Sequence, residues 1–270
     1  MRVWVSGARG GLGTEVCRQL VEAGHDVVEA DLHSDPPVDL LDAAAVAESL
    51  RGADAIVHCA AIPRPGTIDP AELVRINTMS TFIALEEAWK QGVRTAVLAS
   101  TVSIYGTAFS PEELPHPVVP IDEDAPLRYV DPYGLSKDFL ERTGAMFARR
   151  GMTVTALRFH WIADPDEVSG HLAEAPPVRG RRNLWGYVER SDAARACVLA
   201  LQPHDCTERY HALLIAADDT GMHTPTAQLL DEFLPDTERR RPVEGTAGLF
   251  DCRRAAEVIG WRPHSTWREL

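Results

Sequence analysis

The chain is 270 residues long, 45% hydrophobic and 25% charged, with a formal net charge of −13. That length can bury a substantial core, as one large domain or two small ones, and the composition is that of an ordinary soluble globular protein. The acidic balance argues against binding a nucleic-acid backbone, which needs concentrated positive charge, and no apolar run approaches the roughly 20 residues that span a bilayer. The first element is a short apolar strand over 3–6, followed by a helical stretch over 14–23 that stops at Gly24. Strands are predicted over 26–30 and 54–58, then a long periodic helix over 70–91 with Pro70 in its first turn. A strand over 95–99, a helix over 132–150 and a strand over 153–158 continue the alternation. Alternating strands and helices predict an α/β fold with a doubly wound parallel sheet, and the β-branched, apolar strands suit burial on both faces.

Between these elements, 106–131 is a Pro-rich, acidic loop too long to be structureless without a functional reason. After Phe159 the pattern degrades, and 163–186 reads as loop. Regularity returns with a helix over 191–201 and a strand over 209–216, and two small helices are predicted over 224–234 and 252–259. The expected division is a dinucleotide-binding core over 1–158 and a small interleaved substrate-binding region over 159–270, with 191–216 returning to the core sheet. Cys17, Cys59, Cys197, Cys206 and Cys252 are odd in number, widely spaced and without a Cys-x-x-Cys pair. That usage fits a reducing compartment and no zinc site. With a strand at the very start and no signal-peptide pattern, the expected location is the cytoplasm. The basic runs at 179–182 and 239–241 read as solvated loop charge, or as contacts to an anionic substrate.

The first strand runs directly into Gly7-Ala-Arg9-Gly10-Gly11-Leu12-Gly13. A tight strand-to-helix turn needs residues without Cβ, so that a pyrophosphate can reach the backbone and the N–H groups of the helix start. This predicts a Rossmann-type dinucleotide site. Asp31 ends the second strand, where a carboxylate accepts hydrogen bonds from ribose hydroxyls and repels a 2′-phosphate. NAD is therefore favoured over NADP, although Arg9 and His33 are cations that a phosphate could meet.

Downstream lie Ser100-Thr101-Val-Ser103 at a strand end and Tyr133-Gly-Leu-Ser-Lys137 in a helix, one turn apart on one face. With the glycine turn, these motifs resemble the extended short-chain dehydrogenase/reductase family, that of the NAD-dependent sugar epimerases and dehydratases. The resemblance implies hydride chemistry on a carbinol, with Tyr133 as general acid/base, Lys137 lowering its pKa and holding the nicotinamide ribose, and Thr101 orienting the reacting oxygen. It also implies cofactor contacts from Asp39 and Leu40, from Ala60, Ala61 and Ile62 in a small-residue segment, and from Asn77. A blander account of Asn77 is a polar residue packed in its helix. Ser100 belongs with the cofactor residues and Ser103 with the substrate. His160 and Trp161 are candidates for the substrate pocket or for ordinary core.

Departures from the family narrow the reaction. The dehydratases' Asp-Glu pair is here Val102-Ser103, which disfavours dehydration. After the strand's Arg158, where the epimerases carry an asparagine and a Tyr-Gly-Pro turn, this chain reads Phe-His-Trp-Ile-Ala-Asp-Pro165, and the substrate region is short. In length and layout the chain is similar to the uronate dehydrogenases, whose substrate needs a cation for its carboxylate; Arg64 and the arginines of 179–182 are candidates. The expected activity is an NAD-dependent dehydrogenase of a sugar, sugar acid or similar small alcohol. The alternatives are a nucleotide-sugar 4-epimerase that retains its NAD and a non-catalytic dinucleotide sensor. Asp192 and Trp261-Arg-Pro263 match structural segments of the family, and the family implies a homodimer formed through the helices of 71–91 and 133–150.

Overall fold

The computed structural model describes every residue except 107, 112, 113, 115, 204–206 and 270, so Cys206 lies outside the described residues. In chain order the elements begin with β1 (Arg2–Ser6), α1 (Gly11–Glu22), β2 (Asp26–Ala30), α2 (Ala43–Ser49), β3 (Ala55–His58), α3 (Pro70–Lys90) and β4 (Thr95–Thr101). They continue with β5 (Val118–Val119), α4 (Pro132–Arg149), β6 (Thr153–Phe159), β7 (Ile162–Ala163), α5 (Pro165–Val168), β8 (Val188–Glu189) and α6 (Arg190–Ala200). Last come β9 (Tyr210–Ile215), α7 (Thr226–Phe233), β10 (Glu238–Arg239) and α8 (Arg253–Ile259). No described helix is long and apolar enough to cross a membrane.

Six strands form one parallel sheet in the order β2-β1-β3-β4-β6-β9. The chain leaves β1 toward β2, then crosses to β3 on the other side, so the winding reverses between β1 and β3. In open α/β sheets ligands bind outside the carboxyl ends of the strands at such a switch point. Both sheet faces are covered, which is why β1, β3, β4 and β6 are mostly buried and rich in apolar residues. On one face Val16 and Leu20 of α1 and Ala193, Ala196 and Cys197 of α6 pack on Val5, Val57 and Leu157. On the other, Ala84 and Leu85 of α3 and Leu140 and Phe147 of α4 pack on Trp4, Ile56 and Leu98. A third cluster beyond the strand ends joins Val102, Ile104 and Ile121 to Trp185, Leu214, Leu229 and Phe250, mixing segments from both halves of the chain.

The predicted strands and long helices are present, and β9 returns to the sheet edge beside β6. Three differences have local causes. Helix α1 starts at Gly11, three residues before the predicted 14, because Gly10 serves as its N-cap and its carbonyl accepts from Thr14 N. Helix α2 was not expected; it is short and buries only Val46, but Asp42 caps it by accepting from the N–H groups of Ala44 and Ala45. The two long loops contain short regular elements among their described residues. In the first, β5 pairs with β10; the second contains β7, α5 and several single helical turns.

Candidate active site

The carboxyl ends of β1, β3, β4 and β6 open into a cavity of about 540 Å³, within the roughly 300–1,000 Å³ common for small-molecule sites. It shares Gly7, Gly10, Cys59 and Ala61 with a second cleft of about 470 Å³ over β2. The glycine turn forms the boundary of both. Gly7 has φ of +65°, and a Cβ there would lie 2.7 Å from Ala60 N. A Cβ on Gly13 would lie 2.0 Å from Gly7 O, so helix and strand can approach this closely only without one. Gly10, Gly11 and Leu12 face the larger cavity.

The second cleft holds Asp31, Asp39, Leu40, Ala60, Ala61 and Ile62 together. The Asp31 carboxylate accepts from Arg9 N at 3.3 Å and His33 N at 3.0 Å, which orients it at the end of β2. Arg9 itself turns its guanidinium to Glu29 at 2.6 Å and lines neither cavity. Asn77 also stands behind the wall. Its side chain accepts from Ile62 N at 2.8 Å and donates to Ile62 O and to Ser136 Oγ, both at 3.1 Å. It clips the segment after β3 to α3 and α4, and so shapes the cleft from outside.

Thr101, Tyr133 and Lys137 meet in the larger cavity. Thr101 Oγ1 donates to Ser103 Oγ at 3.1 Å and accepts from Ser103 N at 3.1 Å. Tyr133 is buried, and Phe109, from the acidic loop, covers it edge-on with ring centroids 5.8 Å apart. Burial pushes its phenol up to about 12, countered by the Thr101 hydroxyl beside it and reinforced by the nearby Asp131 charge. Lys137 Nζ donates to Ala99 O at 2.7 Å and lies 5.7 Å from the Tyr133 ring centroid. Its own burial lowers it from 10.5 to about 8, the most direct sign of a cation kept in an apolar place.

Behind these residues sits a polar network that the sequence did not announce. Arg158 makes a two-pronged pair with Glu141 at 2.9 and 2.8 Å and also donates to Tyr105 Oη and Glu123 O at 2.9 Å. Ser100 Oγ donates to Glu141 Oε1 at 2.6 Å, so this hydroxyl is tied to the network although Ser100 lines the cavity. His58 is buried between Ser6 Oγ at 2.7 Å and Thr81 Oγ1 at 3.1 Å, and burial lowers it to about 3, keeping it neutral.

On the substrate side, Ser103, His160 and Trp161 all line the cavity. His160 Nε2 bonds Asn183 O at 3.0 Å and Nδ1 accepts from Trp161 N at 2.6 Å, and burial lowers the ring to about 4. Arg64 is exposed and lines neither cavity. Of the basic run 179–182, Arg179 is exposed and Arg182 donates to Ser110 O at 2.8 Å; none lines the cavity, though the adjacent Asn183 does. Arg239 and Arg240 pair with Asp231 and Asp122. Phe109 and Asn183 are wall residues that sequence reasoning missed, because each comes from an irregular segment without a period to orient it.

Sheet, glycine turn and Thr-Tyr-Lys cluster together define a short-chain dehydrogenase/reductase. The model of the NAD dependent epimerase/dehydratase family matches residues 3–216, and the chain belongs to that family. It is 30% identical over 196 residues to an L-arabinose 1-dehydrogenase (NAD(P)(+)) of Haloferax volcanii, covering 68% of this chain and 76% of that one. It is 33% identical over 311 aligned positions to a UDP-glucose 4-epimerase of Streptomyces lividans, covering 96% and 90%. Among solved structures, MoeE5 in complex with UDP-glucose and NAD matches with a TM-score of 0.72 and 26% identity, over 100% of this chain and 95% of that one. A short-chain dehydrogenase/reductase superfamily protein of Agrobacterium tumefaciens with bound NAD matches with a TM-score of 0.73 and 22% identity, over 99% and 94%.

Proposed function

We propose that this enzyme is an NAD-dependent oxidoreductase that exchanges a hydride with a carbinol of a small sugar or sugar derivative. The observation that carries the reading is the meeting of Thr101, Tyr133 and Lys137 in a cavity continuous with the glycine turn. The turn suits a dinucleotide: Cβ atoms at Gly7 and Gly13 would collide with backbone, and Asp31 stands at the end of β2 where a ribose diol would bond it. Gly10, Gly11 and Leu12 would hold the pyrophosphate, and Asp31 with the cleft of Asp39, Leu40, Ala60, Ala61 and Ile62 the adenosine. When bound, the nicotinamide supplies the hydride acceptor or donor. Thr101 and Ser103 orient the carbinol oxygen by hydrogen bonding, and Tyr133 passes the hydroxyl proton. Lys137, its ammonium 5.7 Å from the Tyr133 ring centroid, would bond a ribose hydroxyl. Phe109 and Trp161 shield the reacting atoms from water.

Among the described lining residues Lys137 is the one cation, since His160 is held neutral by burial. Hydroxyls and aromatic faces suit an uncharged sugar better than a uronate or a nucleoside diphosphate, which would each need a cation. The dehydrogenase relative, an enzyme of L-arabinose, supports this. Kinship to UDP-glucose 4-epimerases supports the alternative, epimerisation with retained NAD. NADH absorbance with NAD and a panel of aldoses, uronic acids and UDP-sugars separates the two. Formation of NADH with aldoses is expected; an inverted UDP-sugar without NADH would establish the epimerase. Tyr133→Phe should lose turnover by a factor of about 100 or more and keep NAD binding, whereas full activity in that variant would remove Tyr133 from the mechanism.

We also read the protein as a cytoplasmic homodimer. Helices α3 and α4 lie side by side, and their outer side exposes Met79, Phe82, Leu135 and Phe139, an apolar set suited to a second copy.

A further inference from the structure

Arg190, the first residue of α6, lies far from the glycine turn in sequence and against it in space. A Cβ built on Gly11 would fall 2.4 Å from Arg190 Nη1 and 3.5 Å from its Cζ, so the guanidinium occupies the space that a side chain at Gly11 would need. The other edge of the guanidinium is held by the substrate side of the molecule. Nε donates to Asp164 Oδ1 at 2.9 Å, and Nη2 donates to Asp164 Oδ2 at 3.0 Å and Glu167 Oε2 at 3.1 Å. Nη1 gives no hydrogen bond to any described residue, and it is the nitrogen that faces the turn. Glu15 on α1 is near enough to feel the arginine's charge.

We infer that Arg190 is a phosphate-binding residue that clamps the pyrophosphate of the dinucleotide over Gly11 and ties it to the α5 segment. The inference rests on the reading of the glycine turn as a dinucleotide site. A helix start supplies N–H donors and half a positive charge, but here Asp164 and Glu167 bond the arginine beside it and Glu15 lies one turn into α1. Three carboxylates would repel a pyrophosphate. A guanidinium fixed along one edge and free along the other screens them and offers donors to a phosphate oxygen at little entropic cost. Because α5 follows Trp161 and Ile162 in the cavity wall, the clamp also joins cofactor binding to the wall of the substrate cavity.

The test is calorimetric titration of ADP-ribose, which carries the pyrophosphate and no nicotinamide, into four proteins: wild type, Arg190→Gln, Arg190→Lys, and the double variant Asp164→Asn with Glu167→Gln. Loss of a charge-assisted contact predicts an affinity about tenfold weaker for Arg190→Gln. Arg190→Lys should recover part of it. The double variant keeps the arginine and removes two repelling charges, so it should bind as tightly as wild type or more tightly. A merely structural role, through the ion pair with Asp164, predicts the opposite: the double variant would weaken as much as Arg190→Gln. That result, or an Arg190→Gln variant within twofold of wild type, overturns the inference while leaving the dinucleotide site intact. A wild type that does not bind ADP-ribose overturns the dinucleotide reading and the clamp with it.

Discussion

Replacing Lys137 by methionine is expected to stabilise the fold while removing turnover. The ammonium is buried, and its recorded protein partner is the Ala99 carbonyl at 2.7 Å. Its displacement from 10.5 to about 8 corresponds to about 3 kcal/mol. Methionine has similar length and no charge to desolvate, but it leaves the Ala99 carbonyl without its donor, a loss of about 1 kcal/mol. The net gain is about 2 kcal/mol at pH 7, or roughly 3–4 °C in melting temperature for a chain of this size. The sign with pH follows from linkage. The unfolded chain holds the lysine proton more tightly than the native one, so wild type gains stability as pH rises from about 8 to 10.5. The advantage of the variant is therefore full below pH 8 and fades across that window. Thermal melts of both proteins at pH 7, 8.5 and 10 measure the difference directly, and other titrating groups cancel in the comparison. A variant that melts at or below wild type at pH 7, or a difference that does not shrink with pH, would refute the reasoning.

The pair beneath the site behaves in the opposite sense. Glu141→Leu leaves Arg158 buried without its carboxylate and Ser100 without its acceptor, and should cost about 3–5 kcal/mol in denaturant unfolding. Adding Arg158→Leu should recover most of that loss, and a double variant as unstable as the single would show that the pair itself, not the orphaned charge, holds this region. On the outer side of α3 and α4, Phe139→Glu should convert a homodimer into monomer in sedimentation equilibrium without change in the far-ultraviolet circular dichroism. A wild type that sediments as a monomer would remove that face as an interface.

Much of the fold was legible because its signals are local. Strand and helix periods, Pro70 in the first turn of α3, and the glycines that a strand-to-helix turn requires all act within a few residues of one another. Helix α2 carried such a signal too, in Asp42 before an alanine run, but seven residues with one buried side chain give no readable period. The cluster of Thr101, Tyr133 and Lys137 was legible only through family spacing, since nothing local brings a strand end to a helix face.

By itself the sequence determined the parallel α/β sheet and the glycine turn, because these follow from backbone sterics and the hydrophobic period; the residues for hydride chemistry were read from the family resemblance. Tertiary structure alone decided their environments. It buried Lys137 against the Ala99 carbonyl, drew Ser100 into the Glu141–Arg158 network, turned Arg64 and Arg9 out of the cavities, and brought Arg190 to Gly11. Charge state and hydrogen-bond partner depend on which distant segments exclude water from a group, and that is settled only when the whole chain has packed.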